Sequence, residues 1–500
     1  MRRIILAVAA CIVISGGASA QTVRVALNTD PDTLDPTLAR TYVSRIVFAG
    51  LCDKLFDINA KLETVPQLAL GYEWSSPTEL VIKLRPGVVF QDGEKMDAAA
   101  VKYSLERHLT MQGSFRRSEI SAMDHVDVVD PLTVKIVLKA PSSPFLAQLT
   151  DRAGMIVSPK AAEAEGKDFA LHPVCAGPFK FIERVPQDHI TLERFPQYWN
   201  AGAIHLDRVI YQSIADSSIR LANLQAGSLE IADAIAPTDV ETVKKDPKLR
   251  IASMSALGFQ TIAFNLANGP RSKTPLGQDA RVRRAFELSL DRDALVQVVY
   301  NGLFVPTAQV EPPASPFYLK DIQPPPRDVA KAKALLKEAG VTLPVVVNLV
   351  VPNAPEYRQV GEIVQSMAAE AGFDVHITAA EYASALSASN RGDFEAFLTA
   401  WSGRVDPDGN LYSFLHTGAP SNDAKYANAK VDEDLDKARL VSDVAQRRAL
   451  YDDLFHQTVQ DLPILYLWQL ENLVGLSAKV NGFVQVPDGM IRLQGVSLAK

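Results

Sequence analysis

Residues able to do chemistry gather in one stretch, Phe394–Leu415, which reads FEAFLTAWSGRVDPDGNLYSFL. An apolar run expected to be a strand leads into Trp401, Ser402 and Gly403, then Arg404, Asp406 and Asp408, with Tyr412 just beyond. A flat aromatic, a glycine that admits a ligand to the backbone and three charged groups are the parts of a ligand clamp. The two aspartates also have the chemistry of a general acid–base pair. Taken alone, the stretch reads as a strand and a polar turn with Trp401 in the core. The rest of the chain turns that reading toward a ligand site.

The chain is short of catalytic machinery. None of its eight histidines falls at helical metal-ligand spacing, and neither Cys52 nor Cys175 has a second cysteine nearby. No G-x-S-x-G elbow, P-loop or G-x-G-x-x-G turn occurs. The expectation is a protein that is not an enzyme, with no metal and no cofactor. A periplasmic hydrolase is the rival reading.

The elements that must position the stretch alternate. Thr22–Leu27 reads as a first strand, running into a turn-rich loop that carries Asn28 and Asp30 as weaker candidate ligand residues. A helix over Tyr42–Leu51 follows, then a mixed α+β insertion to about Val174 with a hairpin across Asp130-Pro131-Leu132. Strand Val209–Ile214, helix Ser217–Ala226 and strand Ile231–Ile235 form a βαβ unit, expected as a parallel pair. From Asp279 a second α/β layer begins, and it places Trp401 at the carboxyl end of a strand. Ligands of open α/β sheets bind there. The fold class expected is α/β, two-lobed, with an inserted α+β subdomain in the first lobe and a ligand enclosed between lobes.

Five hundred residues exceed a single core. The formal net charge is −7 with no Lys/Arg cluster, which disfavours nucleic acid and anionic membranes as partners. Residues 1–20 carry Arg2 and Arg3, an apolar run and Ala18-Ser19-Ala20, the pattern of a cleaved export signal with a mature start at Gln21. The run is shorter than the about 20 residues a membrane span needs. The Cys11 box is rejected as a lipidation site, because cleavage there leaves too short an apolar region. Export leaves Cys52 and Cys175, which are expected to pair in an oxidising compartment, two buried thiols being the alternative.

Specific motifs then become familiar. Leu34-Asp35-Pro36, the run Leu84–Gly93 (LRPGVVFQDG), Ala176-Gly177-Pro178-Phe179, Pro196-Gln197-Tyr198-Trp199, Arg281–Phe286 (RVRRAF), and Tyr426-Ala427-Asn428 with Val431-Asp432 occur in that order. Together they make the mature chain resemble the family 5 extracellular solute-binding proteins of ABC importers, typified by periplasmic dipeptide- and oligopeptide-binding proteins. The resemblance implies a periplasmic monomer that captures a peptide or similar small polar solute and delivers it to a membrane permease driven by cytoplasmic ATPases. It implies a first lobe over 21–256 plus 471–500, with the insertion at about 51–174, and a second lobe over 257–470. Strands Phe259–Leu266 and the region after Trp468 would form the hinge. A receptor or chaperone presenting ligand to a sensor uses the same fold and is a further alternative.

One departure matters. Dipeptide-binding relatives place an aspartate soon after the Trp-x-Gly turn to pair with the peptide's ammonium, whereas here Arg404 and Val405 follow Gly403. An arginine facing the ligand favours a carboxylate or phosphate and so a non-peptide anionic solute. An Arg404 turned to solvent or paired with a nearby acid leaves the ligand class open.

Overall fold

The computed structural model describes residues 21–313 and 315–499; the expected export signal, with its expected cleavage before Gln21, lies outside them. Among the described residues no helix is long and apolar enough to cross a membrane.

Two long antiparallel strands, Leu249–Phe264 and Ile464–Ser477, run through both lobes and join them into one eleven-stranded sheet. On the first-lobe side Ile464–Ser477 pairs with the short strand Ile231–Ala232, which pairs with Thr22–Leu27. On the other side Leu249–Phe264 pairs with Ala396–Trp401, setting Phe259 opposite Trp401. The register between the long strands breaks between Ser255–Glu471 and Phe259–Gln469. A break in pairing is where such a ribbon bends most easily. These strands extend well beyond the expected Phe259–Leu266 and Ile464–Trp468, the first beginning at Leu249 and the second running on to Ser477.

Thr22–Leu27 lies between two parallel neighbours, Arg208–Ser213 and Ile231–Ala232. The expected βαβ unit is therefore present, but its two strands flank the first strand instead of touching. Between them runs helix Ser217–Ala226, capped by Asp216, whose carboxylate accepts from the N–H groups of Ser218 and Ile219. The insertion carries a four-stranded antiparallel sheet with helix Ala98–Thr110 against it, and a core of its own that includes Leu80, Ile82, Val101 and Ile136. The C-terminal segment returns to the first lobe, where Met490, Ile491 and Val496 pack with Val23 and Val25. A disulfide joins Cys52 to Cys175, 123 positions apart, so the two ends of the insertion are tied together.

The loop after the first strand is braced from within. Asp32 accepts from the Thr41 and Ser44 hydroxyls at 2.7 Å each, and Asp35 takes Arg107 at 2.6 and 2.9 Å. Arg40 and Tyr42 are thereby fixed at the mouth between the lobes.

Candidate functional site

A cavity of about 370 Å³ lies between the lobes, walled by loops at the carboxyl ends of strands from both. The first lobe contributes Asn28 and Asp30 after Thr22–Leu27, and Asp233 after Ile231–Ala232. The second contributes Glu356 in the first turn of helix Pro355–Ala369, Tyr382 beside the capping Glu381, and Trp401 with Ser402.

Its charge is unbalanced. Among the described residues Asp30, Asp233, Glu356, Glu381 and Glu471 line the space against Arg40 and Arg220 only. Several of these charges are already engaged. Asp30 holds Arg184 at 2.8 Å and the Ser213 hydroxyl at 2.9 Å. Arg40 pairs with Asp423 at 3.0 Å. Glu381 accepts from the N–H groups of Ala383 and Ser384, at 3.0 and 2.7 Å. Arg220 spends its guanidinium on the carbonyls of Ile214, Ala215 and Ala234 at 2.7–2.9 Å.

Asp233 is different. It is only 3% exposed, and its Oδ2 has no hydrogen-bond partner among the described residues. Burial pushes its carboxyl up to about 6, against the pull of the Arg220 guanidinium. A buried acceptor left unmatched is costly unless a ligand donor completes it. With half-buried Glu356 it gives the cavity the character of a cation site walled by Tyr42, Tyr357 and Trp401.

The residues singled out in the sequence divide. Asn28, Asp30, Trp401 and Ser402 line the cavity. Trp401 is oriented by its Nε1, which donates to Asn410 at 3.0 Å. The Ser402 hydroxyl accepts from Arg45 of the first lobe at 3.0 Å. Gly403 lies outside the lining and serves the backbone: its φ is +75°, and a Cβ there would sit 2.2 Å from the Leu257 carbonyl oxygen.

Arg404, Asp406, Asp408 and Tyr412 are not in the cavity wall. Arg404 is turned into the other lobe, its Nε 2.5 Å from Asp151 Oδ2 and its Nη1 donating to the Gly403 carbonyl at 2.7 Å. Burial lowers its guanidinium to about 10, against Asp151. Asp406 is gripped by Arg447 at 2.7 and 2.8 Å. Asp408 takes Arg439 at 2.6 and 2.9 Å and Gln148 of the insertion at 3.1 Å. Tyr412 donates to Asp436 at 3.1 Å and lies under the Arg439 guanidinium. The expected anchors thus form an internal network, each charge matched by a partner remote in sequence, and of the two placements open to Arg404 the structure has the one in which it pairs with an acid, Asp151. Asp233 and Glu356 also line the cavity and were not singled out in the sequence. The strand-end rule that pointed to Trp401 also points to Asp233, but a strand of two residues gives it little emphasis.

The chain's relatives agree with this architecture. The family model described as bacterial extracellular solute-binding proteins, family 5, matches residues 63–422. The glutathione-binding protein GsiB of Pectobacterium atrosepticum is 31% identical over 507 residues, spanning 99% of this chain and 97% of that protein. Among solved structures, the periplasmic binding protein DppA from Helicobacter pylori, in complex with the peptide STSA, superposes with a TM-score of 0.87 at 25% identity over 96% of this chain and 98% of that one. The Escherichia coli murein tripeptide binding protein MppA shares the fold with a TM-score of 0.89 at 22% identity, over 97% of this chain and 99% of its own. The chain belongs to the family 5 bacterial extracellular solute-binding proteins, the solute-capturing components of ABC importers.

Proposed function

We propose that this protein captures a short peptide or peptide-like zwitterion between its lobes, taking the solute's ammonium on Asp233 with Glu356 in support. The observation that carries the reading is the free carboxylate oxygen of buried Asp233 in a cavity whose lining acids outnumber its arginines. Trp401 supplies a wall, and Ser402 and Asn28 supply polar contacts. A cavity of about 370 Å³ is at the small end of ligand pockets, about 300–1,000 Å³, and suits a di- or tripeptide. The glutathione named for the GsiB relatives is a tripeptide that bears a free ammonium. The non-peptide anionic reading loses its anchor, since Arg404 faces Asp151.

The remaining parts of the proposal follow the family. The protein acts in the periplasm after cleavage before Gln21, as a monomer, and presents both lobes to a permease powered by cytoplasmic ATPases. Lobe I spans 21–256 plus 471–500 with its insertion at about 51–174, and lobe II spans 257–470. The register break opposite Glu471 supports that division. No turnover of bound solute is expected.

Native mass spectrometry of protein purified from the periplasm without refolding tests the ligand class. Release of small amine-bearing peptides supports it. Release of a purely anionic solute overturns it.

A further inference from the structure

A second chamber of about 90 Å³ sits behind the first, and Arg40, Tyr382 and Trp401 line both. Eight of the residues lining it are aromatic, among them Phe115, Phe259, Phe397 and Phe414. Three guanidiniums, those of Arg40, Arg116 and Arg152, interrupt that surface together with the carboxylates of Glu119 and Asp423. Arg152 is fully buried and Arg116 is 3% exposed, and both donate to the Ala39 carbonyl, at 2.8 and 3.2 Å. Beyond that contact, Nε and Nη2 of Arg152 and Nε of Arg116 have no hydrogen-bond partner among the described residues.

The charge around them does not balance. Arg40 has Asp423 and Arg116 has Glu119. Among the described residues Arg152 has only Asp151, at 3.9 Å, and that carboxylate already serves Arg45 at 3.1 Å and Arg404 at 2.5 Å. One carboxylate thus answers three buried guanidiniums. Glu119 Oε2, also in this neighbourhood, is itself unpartnered and does not change the excess. Buried cations left without a counter-charge are strongly unfavourable, and an anion delivered to them recovers that cost. Because Arg404 joins from the second lobe, the excess is complete only when the lobes are together.

We propose that the second chamber receives the carboxylate end of the captured solute, on Arg152 with Arg116. This inference rests on the peptide reading and extends it: the ammonium lies in the outer chamber near Asp233, and the chain passes Trp401 to a carboxylate set among aromatic rings. The chamber has room for about three waters' share of volume, at roughly 30 Å³ each, which fits a carboxylate and the small or apolar residue that bears it. The solute closes the lobes by supplying the counter-ion that the arginine cluster lacks.

The test compares a mixture of tripeptides bearing free amines and free C-terminal carboxylates with the same mixture capped as C-terminal amides, by titration calorimetry on the full mature chain. The expected result is at least tenfold tighter binding of the acids by the wild type. That ratio falls to near one in Arg152→Gln and is retained in Arg152→Lys. Arg116→Gln provides the same readout should Arg152→Gln fail to fold. Equal binding of acids and amides by the wild type, or an undiminished ratio in a folded glutamine variant, overturns the carboxylate chamber and leaves the outer-chamber reading intact. Failure of both mixtures to bind overturns the peptide reading and this inference with it.

Discussion

Nε of Arg404 in the second lobe lies 2.5 Å from Oδ2 of Asp151 in the insertion of the first, and both side chains are buried. The residue expected to meet the ligand instead ties the lobes to each other. Arg404→Ala is therefore predicted to act on closure. It should weaken solute binding about tenfold, mainly through faster release, and to the same extent for acid and amide forms of a ligand. It should also enlarge the radius of gyration measured by solution X-ray scattering. A loss confined to anionic ligands would return Arg404 to a direct contact.

Asp151→Asn is predicted to be more damaging than Arg404→Ala. It leaves Arg45, Arg152 and Arg404 without their shared counter-charge. Removing one partner from such a buried set costs about 3–5 kcal/mol. A chemical denaturation midpoint close to wild type would contradict this.

Asp233→Asn should weaken binding of an amine-bearing peptide tenfold or more, since a hydrogen bond to a charged group contributes about 1.5–3 kcal/mol. The pH dependence has a definite sign. Burial raises the Asp233 carboxyl to about 6 from 3.8, so the folded protein holds this proton more tightly than the unfolded chain does. The cost of ionising it is present in full above pH 6 and is relieved as pH falls from about 6 toward 4. The asparagine variant should thus be more thermostable than wild type at pH 7, with the advantage shrinking toward pH 4.5. Peptide affinity of the wild type should decline below about pH 6, a step the variant lacks.

These predictions also mark what the sequence made legible. The two-lobed α/β plan, the insertion and the position of Trp401 at a strand end followed from hydrophobic alternation and turn residues, which are local signals. The partners of Arg404, Asp406 and Asp408 did not, because Asp151, Arg447 and Arg439 meet them only through tertiary packing. Nor did alternation show that Thr22–Leu27 would insert between Arg208–Ser213 and Ile231–Ala232. Asp233 stayed inconspicuous as one acid among many until its burial and free oxygen set it apart.

The disulfide was expected from two cysteines in an exported chain, and it closes a loop across 123 positions. Replacing both Cys52 and Cys175 with serine should lower unfolding free energy by about 5 kcal/mol on the chain-entropy model. An unchanged denaturation midpoint would argue that the insertion's junctions are held without it.

Gly403→Ala should disturb the inter-lobe contact without touching the cavity wall. A side chain there meets the Leu257 carbonyl and must also adopt a left-handed backbone. Reduced peptide affinity with faster release is expected. Wild-type binding kinetics in the folded variant would show that the turn has slack.

The central claim is that an ammonium is read by Asp233 between the lobes. Titration calorimetry with a free-amine tripeptide mixture and its N-acetylated counterpart tests it most directly. Measurable binding of the free amines, lost on acetylation and on Asp233→Asn, is the predicted result. Equal binding of acetylated peptides would contradict it and place the recognition of the solute elsewhere.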